Sequence, residues 1–255
     1  MIKMKKSSTR DIQLAALECL HEVKRICEEN DIKYFLSWGS ALGAVRHKGF
    51  IPWDDDVDIS MMYPDYLKFL EVCKTQLNTD KFFLQTPETD YNTLVPYAKL
   101  RMNNTTSMDE AYSHIKIHWG ICIDIFPIRS APDDEKSRKK LVFLSMLYRL
   151  TLRRQVITGK NKLLVNTLCT LFGEKRFRQM LLNKIDAMCE SGNNDDVFDM
   201  EGISARKIFY PKKLVNSVEN LPFEDSEFPC PKEIDGYLTY LYGDYMTPPP
   251  NTDRT

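Results

Sequence analysis

An acidic run that leads into an alternating segment at positions 54–61 constrains the fold of this chain most. Polar and apolar residues alternate there in the order Asp56, Val57, Asp58, Ile59, Ser60, Met61. Alternation with a period of two is typical of a β-strand that buries one face and keeps the other polar. The segment therefore predicts a strand that carries Asp56 and Asp58 side by side on a wet, acidic face.

The density of carboxylates in this segment points to a metal ion. Four carboxylates within five residues, beginning at Asp54, repel one another and oppose ionisation unless cations are nearby. Hard carboxylate oxygens favour Mg²⁺ or Mn²⁺ over zinc, and a strand-borne pair could bridge two ions. A solvated acidic loop is one alternative. An EF-hand loop is another, although Ile59 would then occupy the position of the obligatory turn glycine.

Asp124 is the candidate third carboxylate. It lies between isoleucines in an otherwise apolar segment at 120–126, which predicts a buried strand. A charged residue in such a strand is costly without a partner, so we expect Asp124 to lie beside Asp56 and Asp58. The alternative is a structural carboxylate that caps a loop or pairs with Arg129.

Gly39 and Ser40 are candidate phosphate-binding residues, because they follow a short apolar segment and open a helix of small residues. Backbone N–H groups at a helix N-terminus bind anionic oxygens. Nearby cations could hold phosphate charge as well, although an ordinary surface role is the alternative for each. These cations are Arg46, His47, Lys48, Lys99 and Arg101.

Strand and helix signals alternate up to about residue 130, and helical signals dominate after it. The predicted strands are 32–38, 56–61, 82–85, 97–102 and 120–126. The predicted helices lie within 8–30, 41–47, 64–77, 137–188 with a break near 158–160, and 233–242. We therefore expect a catalytic core at 1–130, followed at 131–255 by a helical basic extension and a C-terminal segment that packs on the core.

Charge is distributed unevenly along a chain whose formal net charge is only −1. Segment 136–184 contains thirteen basic residues and one acid, Glu174. Leucines interleaved among these bases fit peripheral contact with an anionic membrane; an anionic polymer or a solvated helix face are the alternatives. We expect no nucleic-acid partner, because no recognised nucleic-acid-binding pattern accompanies the bases.

Other motifs exclude several classes of protein. Seven cysteines without a C-x-x-C pair predict reduced thiols that fill the core of a cytoplasmic protein. The chain contains no apolar run long enough to span a membrane, no nucleophile elbow and no P-loop lysine motif. His114, His118 and Cys122 stand at four-residue steps that could ligate zinc, although Cys122 belongs to the predicted strand of Asp124.

A long stretch of sequence makes a family resemblance visible. Residues 36–59 read LSWGSALGAVRHKGFIPWDDDVDI, which closely resembles the signature of the LicD family of phosphotransferases, a family that includes the fukutin-related proteins. The similarity continues at 97–101 and 104–106, at 120–127, and at 237–238, 241–246 and 248–249. It is weakest from about 135 to 230.

The resemblance implies an α+β fold, a nucleotidyltransferase-like mixed β-sheet flanked by helices with an α-helical C-terminal extension. It implies that Gly39 and Ser40 form the phosphate turn and that Asp56, Asp58 and Asp124 bind Mg²⁺ or Mn²⁺. Members resemble enzymes that transfer a phospho-alcohol, typically phosphocholine from CDP-choline, to a hydroxyl of a cell-surface glycan, lipopolysaccharide or teichoic acid precursor. We therefore expect a metal-dependent transferase, cytoplasmic or peripheral at the inner face of the cell membrane.

Two other functions stay open at this point. One is a nucleotidyltransferase that transfers a nucleoside monophosphate and releases pyrophosphate, and the other is a non-catalytic membrane or glycan adaptor. The presence of all three acids argues against the adaptor. Fukutin-like relatives use CDP-ribitol, so the alcohol of the donor also stays open. A choline-bearing donor would need an aromatic or acidic enclosure, for which Trp38, Trp53 and Trp119 are candidates and core packing is the alternative.

Overall fold

The computed structural model describes residues 8–190, 195–202 and 207–248. The α-helices in these ranges are α1 (Thr9–Glu29), α2 (Trp38–His47), α3 (Tyr63–Gln76), α4 (Glu135–Leu152), α5 (Gly159–Phe172), α6 (Glu174–Glu190) and α7 (Ile234–Tyr242). The strands are β1 (Phe35–Leu36), β2 (Asp58–Met62), β3 (Phe82–Gln85), β4 (Ala98–Met102), β5 (Cys122–Ser130), β6 (Asp196–Asp199), β7 (Phe209–Pro211), β8 (Val218–Phe223) and β9 (Ser226–Pro231). Short 3₁₀ helices occupy Glu110–Tyr112 and Lys212–Leu214.

A mixed sheet forms the centre of the fold, in the order β1-β2-β5-β4-β3, and β6 and β7 extend it from β5. Strand β2 runs parallel to β5, whereas the other pairings are antiparallel. Helices α1 and α3 pack against the sheet over fully buried apolar residues such as Leu100, Ile123 and Ile125. The predicted α+β fold, a nucleotidyltransferase-like mixed sheet flanked by helices, is confirmed.

The N-terminal elements follow their sequence signals closely. Ser8 caps α1 in a capping box with Asp11, and Asn30 ends the helix, as predicted. The strand predicted at 32–38 is reduced to two residues, because Trp38 adopts a positive φ of 46° and begins α2 immediately. Gly39 therefore lies inside the first turn of α2, not in a turn before the helix.

The extension is continuous with the core. Helices α4, α5 and α6 enclose an apolar cluster of their own, whereas the hairpin β8–β9 and α7 pack into the cluster that lies under the central sheet. The helical region predicted at 137–188 is interrupted twice, between α4 and α5 and again at Gly173. Because β5 pairs with β6, residues on both sides of position 130 share one sheet. The seven cysteines are free thiols, and six are buried.

Arg129 connects this extension to the core. Its guanidinium lies 3.8 Å from the ring centroid of Tyr63, and its Nε donates to Oδ1 of Asp186 on α6 at 2.9 Å. The Tyr63 hydroxyl donates to the other oxygen of Asp186, also at 2.9 Å. The alternative that Asp124 pairs with Arg129 is therefore wrong.

Replacing Arg129 by Met is expected to lower the free energy of unfolding by about 2 kcal/mol, because Asp186 loses a charged hydrogen-bond donor. Urea unfolding measures the effect. Lys139→Met is the matched control, since Lys139 pairs with Glu135 on the exposed surface of α4 and surface pairs contribute little. Equal effects of the two substitutions would contradict the role given to Arg129.

Candidate active site

Three adjacent strands bring Lys99, Asp124 and Asp58 into one row. The parallel register of β2 and β5 places Asp58 opposite Asp124, and the antiparallel register of β4 and β5 places Lys99 opposite Asp124. Neighbouring strands lie about 4.8 Å apart, and residues opposite each other point to the same face of a sheet. The strand register therefore places Asp124 beside Asp58, as expected, but Asp56, predicted to lie on the same strand as Asp58, precedes β2.

The remaining acids lie in the loop before β2. One carboxylate oxygen from each of Asp54, Asp55 and Asp56 can be chosen so that the three lie within 4.8 Å of one another. In the part of the chain that the structure describes, no other group of three or more acids, histidines or cysteines brings its ligand atoms this close together. Asp56, Asp58 and Asp124 are neighbours, but their carboxylate oxygens do not all lie within 4.8 Å of one another.

Asp124 is held by two partners from its own sheet. The Lys99 ammonium donates to both oxygens of Asp124, at 2.6 and 2.8 Å, and the Tyr97 hydroxyl donates to Oδ2 at 2.9 Å. Lys99 and Asp124 side chains are only 17% and 19% exposed, so this is a largely buried ion pair. Lys99 thus supplies the positive charge that the acids would otherwise lack.

The electrostatics of the acids show strong mutual repulsion. Loss of hydration, followed by the charges of Asp124 and Asp56, raises the pKa of Asp58 well above its ordinary value. Asp56 as a residue is exposed, yet reduced hydration of its carboxyl and the charge of Asp124 raise its pKa to about 6. Burial by itself would lower the pKa of Lys99, but the Asp124 carboxylate outweighs it and raises that pKa. Such a cluster is ready to accept more positive charge.

Gly39 and Ser40 reach this cluster from the first turn of α2. The Ser40 hydroxyl accepts a hydrogen bond from the backbone N–H of Asp58 at 2.8 Å, which links α2 to β2. A Cβ atom on Gly39 would lie 3.0 Å from Oδ2 of Asp54, so glycine allows this acid to approach the helix N-terminus. Gln13 of α1 holds the loop in place by donating to the backbone oxygen of Asp54 at 2.7 Å.

Arg46, His47 and Lys48 lie at the opposite end of α2. A rise of 1.5 Å per residue places His47 about 10 Å along the helix axis from Ser40. Arg46 donates to the backbone oxygen of Tyr245 at 3.0 Å, and Lys48 ends the helix in the left-handed conformation. The structure therefore places Arg46 against the C-terminal segment and the His47 ring against Trp53, with ring centroids 6.3 Å apart, whereas Gly39 and Ser40 lie with the acids.

Arg101 lies on β4, two residues after Lys99. Its side chain is buried, with Nε donating to Gln85 at 2.7 Å and a terminal nitrogen donating to the backbone oxygen of Gly120 at 2.6 Å. These bonds tie β3, β4 and the segment before β5 together. Among the predicted phosphate-binding cations, Lys99 is thus the one that contacts the acid row directly.

Two residues that were not predicted as site residues lie near the acids. Reduced hydration of its hydroxyl, then the charges of Asp58 and Asp54, raise the pKa of Tyr242 at the end of α7. Burial raises the pKa of Glu201, Arg149 of α4 opposes that rise from 3.7 Å, and Asp124 adds to it. The C-terminal half therefore contributes side chains to the surroundings of the site. Tyr242 belongs to the stretch of family similarity at 241–246, but only the fold places it beside the acids.

The zinc alternative is not supported by the structure. His118 uses both ring nitrogens, one with Asn103 at 3.0 Å and one with the backbone N–H of Gly120 at 3.1 Å. Trp38 and Trp53 pack against the core, and the indole N–H of Trp119 donates to Ile115 at 3.1 Å.

A separate apolar cavity of about 690 Å³ lies between α3 and the β3 edge of the sheet, with Tyr66, Leu70 and Phe82 among its walls. None of the acids of the site lines this cavity. We place the site at the acids, because anionic substrates and metal ions need polar ligands that apolar walls do not supply.

Comparison with known proteins agrees with this geometry. The sequence model described as LicD/FKTN/FKRP, nucleotidyltransferase domain, matches residues 31–146, which contain every acid of the row and loop. The chain is also similar to the lipopolysaccharide cholinephosphotransferase LicD of Haemophilus influenzae, with 27% identity over 279 aligned residues that cover 98% of this chain and 96% of that protein. The chain belongs to the LicD family. As a LicD family protein, it is a transferase.

Similarity to two other proteins is more local. An uncharacterized protein of Rickettsia prowazekii is 26% identical over 136 residues, which cover 53% of this chain and 39% of that protein. An uncharacterized protein of Rickettsia typhi is 39% identical over 59 residues, which cover 23% of this chain and 19% of that protein.

Among the described helices, none combines the length and apolar character that crossing a bilayer requires.

Proposed function

We propose that this LicD family transferase moves phosphocholine from CDP-choline to a hydroxyl of a lipopolysaccharide precursor. The observation that carries the proposal is the row of Lys99, Asp124 and Asp58 beside the N-terminus of α2, in a chain aligned along its whole length with a lipopolysaccharide cholinephosphotransferase. A teichoic acid precursor is the corresponding acceptor in cells without lipopolysaccharide, and another CDP-alcohol is the corresponding alternative donor.

The carboxylates fit a hard divalent cation, so we propose that Asp56, Asp58 and Asp124 bind Mg²⁺ or Mn²⁺. Burial, followed by the charges of neighbouring acids, raises the pKa values of Asp56 and Asp58, and a bound cation would relieve the repulsion between these charges. When bound, the ion would neutralise diphosphate charge and lower the pKa of the acceptor hydroxyl. Lys99 already contacts Asp124 and would share in holding the donor's phosphates.

The residues of the chain have separate tasks in this proposal. Gly39 and Ser40 lie in the first turn of α2 beside Asp54 and Asp58, and their backbone N–H groups would orient a phosphate at the helix N-terminus. Tyr242, exposed near Asp58 and Asp54, is the candidate to contact the quaternary ammonium through its ring. The candidates for the nucleotide end of the donor stay Arg46, His47 and Lys48, at the far end of α2. Arg101 holds β4, the strand of Lys99, in place through its bonds to Gln85 and Gly120.

The transfer itself is a single substitution at phosphorus. The acceptor oxygen forms a bond to the phosphorus that bears choline, and that phosphorus loses its bond to the bridging oxygen. CMP leaves with the electron pair, and the hydroxyl proton passes to water. A lipid-linked acceptor would place the reaction in the cytoplasm at the inner face of the cell membrane, with peripheral contact through 136–184.

Product analysis tests the proposal. The protein is incubated with CDP-choline, Mg²⁺ and a choline-free lipopolysaccharide precursor, and nucleotides are separated by chromatography. We expect stoichiometric CMP and a phosphocholine-bearing glycan. A parallel incubation contains a nucleoside triphosphate in place of CDP-choline. Transfer of its nucleoside monophosphate to the acceptor, with release of pyrophosphate, would assign nucleotidyl transfer instead. Binding of the glycan with no turnover of any donor would assign an adaptor.

A further inference from the structure

The basic segment 136–184 contains two kinds of basic residue in the structure. Several arginines are used internally: Arg138 pairs with Asp196, and both Arg154 and Arg178 pair with Glu174. The bases at the surface are mostly lysines, namely Lys136, Lys139, Lys140, Arg153, Lys160, Lys162, Lys175, Arg176 and Lys184. The surface charge of the extension is therefore carried by long, flexible side chains that can reach toward a partner.

Helix α5 exposes apolar side chains between these bases. Leu163 and Leu171 are each 71% exposed, and Leu164 is 51% exposed. Only Val165 and Cys169 of this helix are recorded as buried among its described residues. An apolar surface of this kind on a helix marks a contact with something outside the chain.

The exposed leucines and a lysine share one face of α5. Counted from Lys160, the leucines follow at three, four and eleven residues, with Thr167 at seven, which is the spacing of a single helical stripe. Lys162 precedes the leucines, and Lys175 and Arg176 follow the helix. No acidic residue occurs anywhere between positions 136 and 173. The face is apolar over most of its length and carries Lys160 at its N-terminal end, and the other exposed bases lie beside it in the chain.

This pattern selects among partners by charge. A second copy of the chain docked on the same face would bring bases against bases. A neutral apolar segment would cover the leucines and leave the bases without counter-charge. An anionic bilayer offers phosphates to the bases and an apolar boundary to the leucines at the same time. We propose that α5 lies flat on an anionic lipid surface through Lys160, Leu163, Leu164 and Leu171.

The segment just before α5 is tied to the core of the fold. Arg153, six residues before α5, donates to the backbone oxygen of Leu94 at 3.3 Å. Leu94 lies just before β4, the strand that carries Lys99 of the acid row. This inference deepens the proposed function and rests on it for the purpose of the membrane contact, which would hold the protein beside a lipid-linked acceptor. The contact itself is tested separately, because vesicle binding can be measured with no substrate present.

Vesicle sedimentation of the full chain tests the inference. The vesicles contain phosphatidylcholine alone or phosphatidylcholine with phosphatidylglycerol. We expect binding only to the anionic vesicles, weakened about tenfold by Leu163→Ser with Leu171→Ser, and about tenfold or more by Lys160→Gln with Lys162→Gln. Leu67→Ser and Lys116→Gln are the controls, because both residues are exposed on the core, and they should not change binding.

Four outcomes would overturn the inference. They are no binding of the unmodified chain to anionic vesicles, equal binding to neutral vesicles, an undiminished affinity in the α5 variants, and dissociation by those variants of a dimer detected in solution. Circular dichroism confirms that the variants fold, and all four leucine and lysine positions are surface positions. CMP release from CDP-choline is measured separately, so loss of vesicle binding with intact turnover would remove α5 and leave the proposed function standing.

Discussion

Replacing Asp58 by Asn is expected to reduce transfer of phosphocholine by about 10³-fold or more. Asp58 pairs in register with Asp124, and burial, followed by the charges of Asp124 and Asp56, raises the pKa of its carboxyl well above the ordinary value. The amide keeps the shape but loses the negative charge that would hold a divalent ion, and metal-assisted charge stabilisation contributes several kcal/mol. CMP release in the assay described above measures the loss. Asp80→Asn, on the exposed surface before β3, is the matched control and should stay near full activity.

The same substitution should leave the chain folded, which separates a catalytic role from a structural one. A carboxyl whose pKa is higher in the folded than in the unfolded chain binds protons more tightly when folded. Stability without divalent ions therefore falls as pH rises above the unfolded value of about 3.9. Asn at position 58 removes one such group, so urea unfolding should show a shallower fall with pH. Retained turnover, or an unfolded variant, would take Asp58 out of the site.

Local sequence patterns predicted the elements that carry their own periodic signal. The capping box of α1 and the strand at 82–85 needed no tertiary information. The hairpin β8–β9 was missed, because Pro222, Pro229 and Pro231 interrupt it and proline is usually confined to sheet edges. Strands β6 and β7 are only four and three residues long, and the pairing of β6 with β5 and of β7 with β6 depends on contacts between distant parts of the chain. Such contacts leave no local period to detect.

The site was predictable to the extent that alternation determines which face a residue occupies. Alternation placed Asp58 on the polar face of its strand, and Asp124 could be placed beside it because a charge in an apolar strand needs a partner. The pairing of Lys99 with Asp124 could not be predicted, because it follows only from the register of β4 against β5. Gln13 and Tyr242 lie far from the acids in sequence, and only the packing of α1 and α7 brings them near.

The second large effect concerns the Lys99–Asp124 ion pair. Lys99→Met should lower the free energy of unfolding by about 3 kcal/mol or more without divalent ions, because it leaves a largely buried carboxylate beside Asp58 with no cation. Urea unfolding in the presence of a chelator measures this. Adding Mg²⁺ should restore part of the loss, since a bound cation stabilises the folded state.

Asp124→Asn completes a double-mutant cycle that isolates the pair. Alone it leaves the Lys99 ammonium buried without its carboxylate, and it should also be destabilising. The double variant has neither charge, so its loss should be smaller than the sum of the two single losses by about 1 kcal/mol or more. Additive losses would mean that the two side chains act independently. Mg²⁺ should stabilise the Lys99→Met variant but not the double variant, because the second lacks the Asp124 carboxylate proposed to bind the ion.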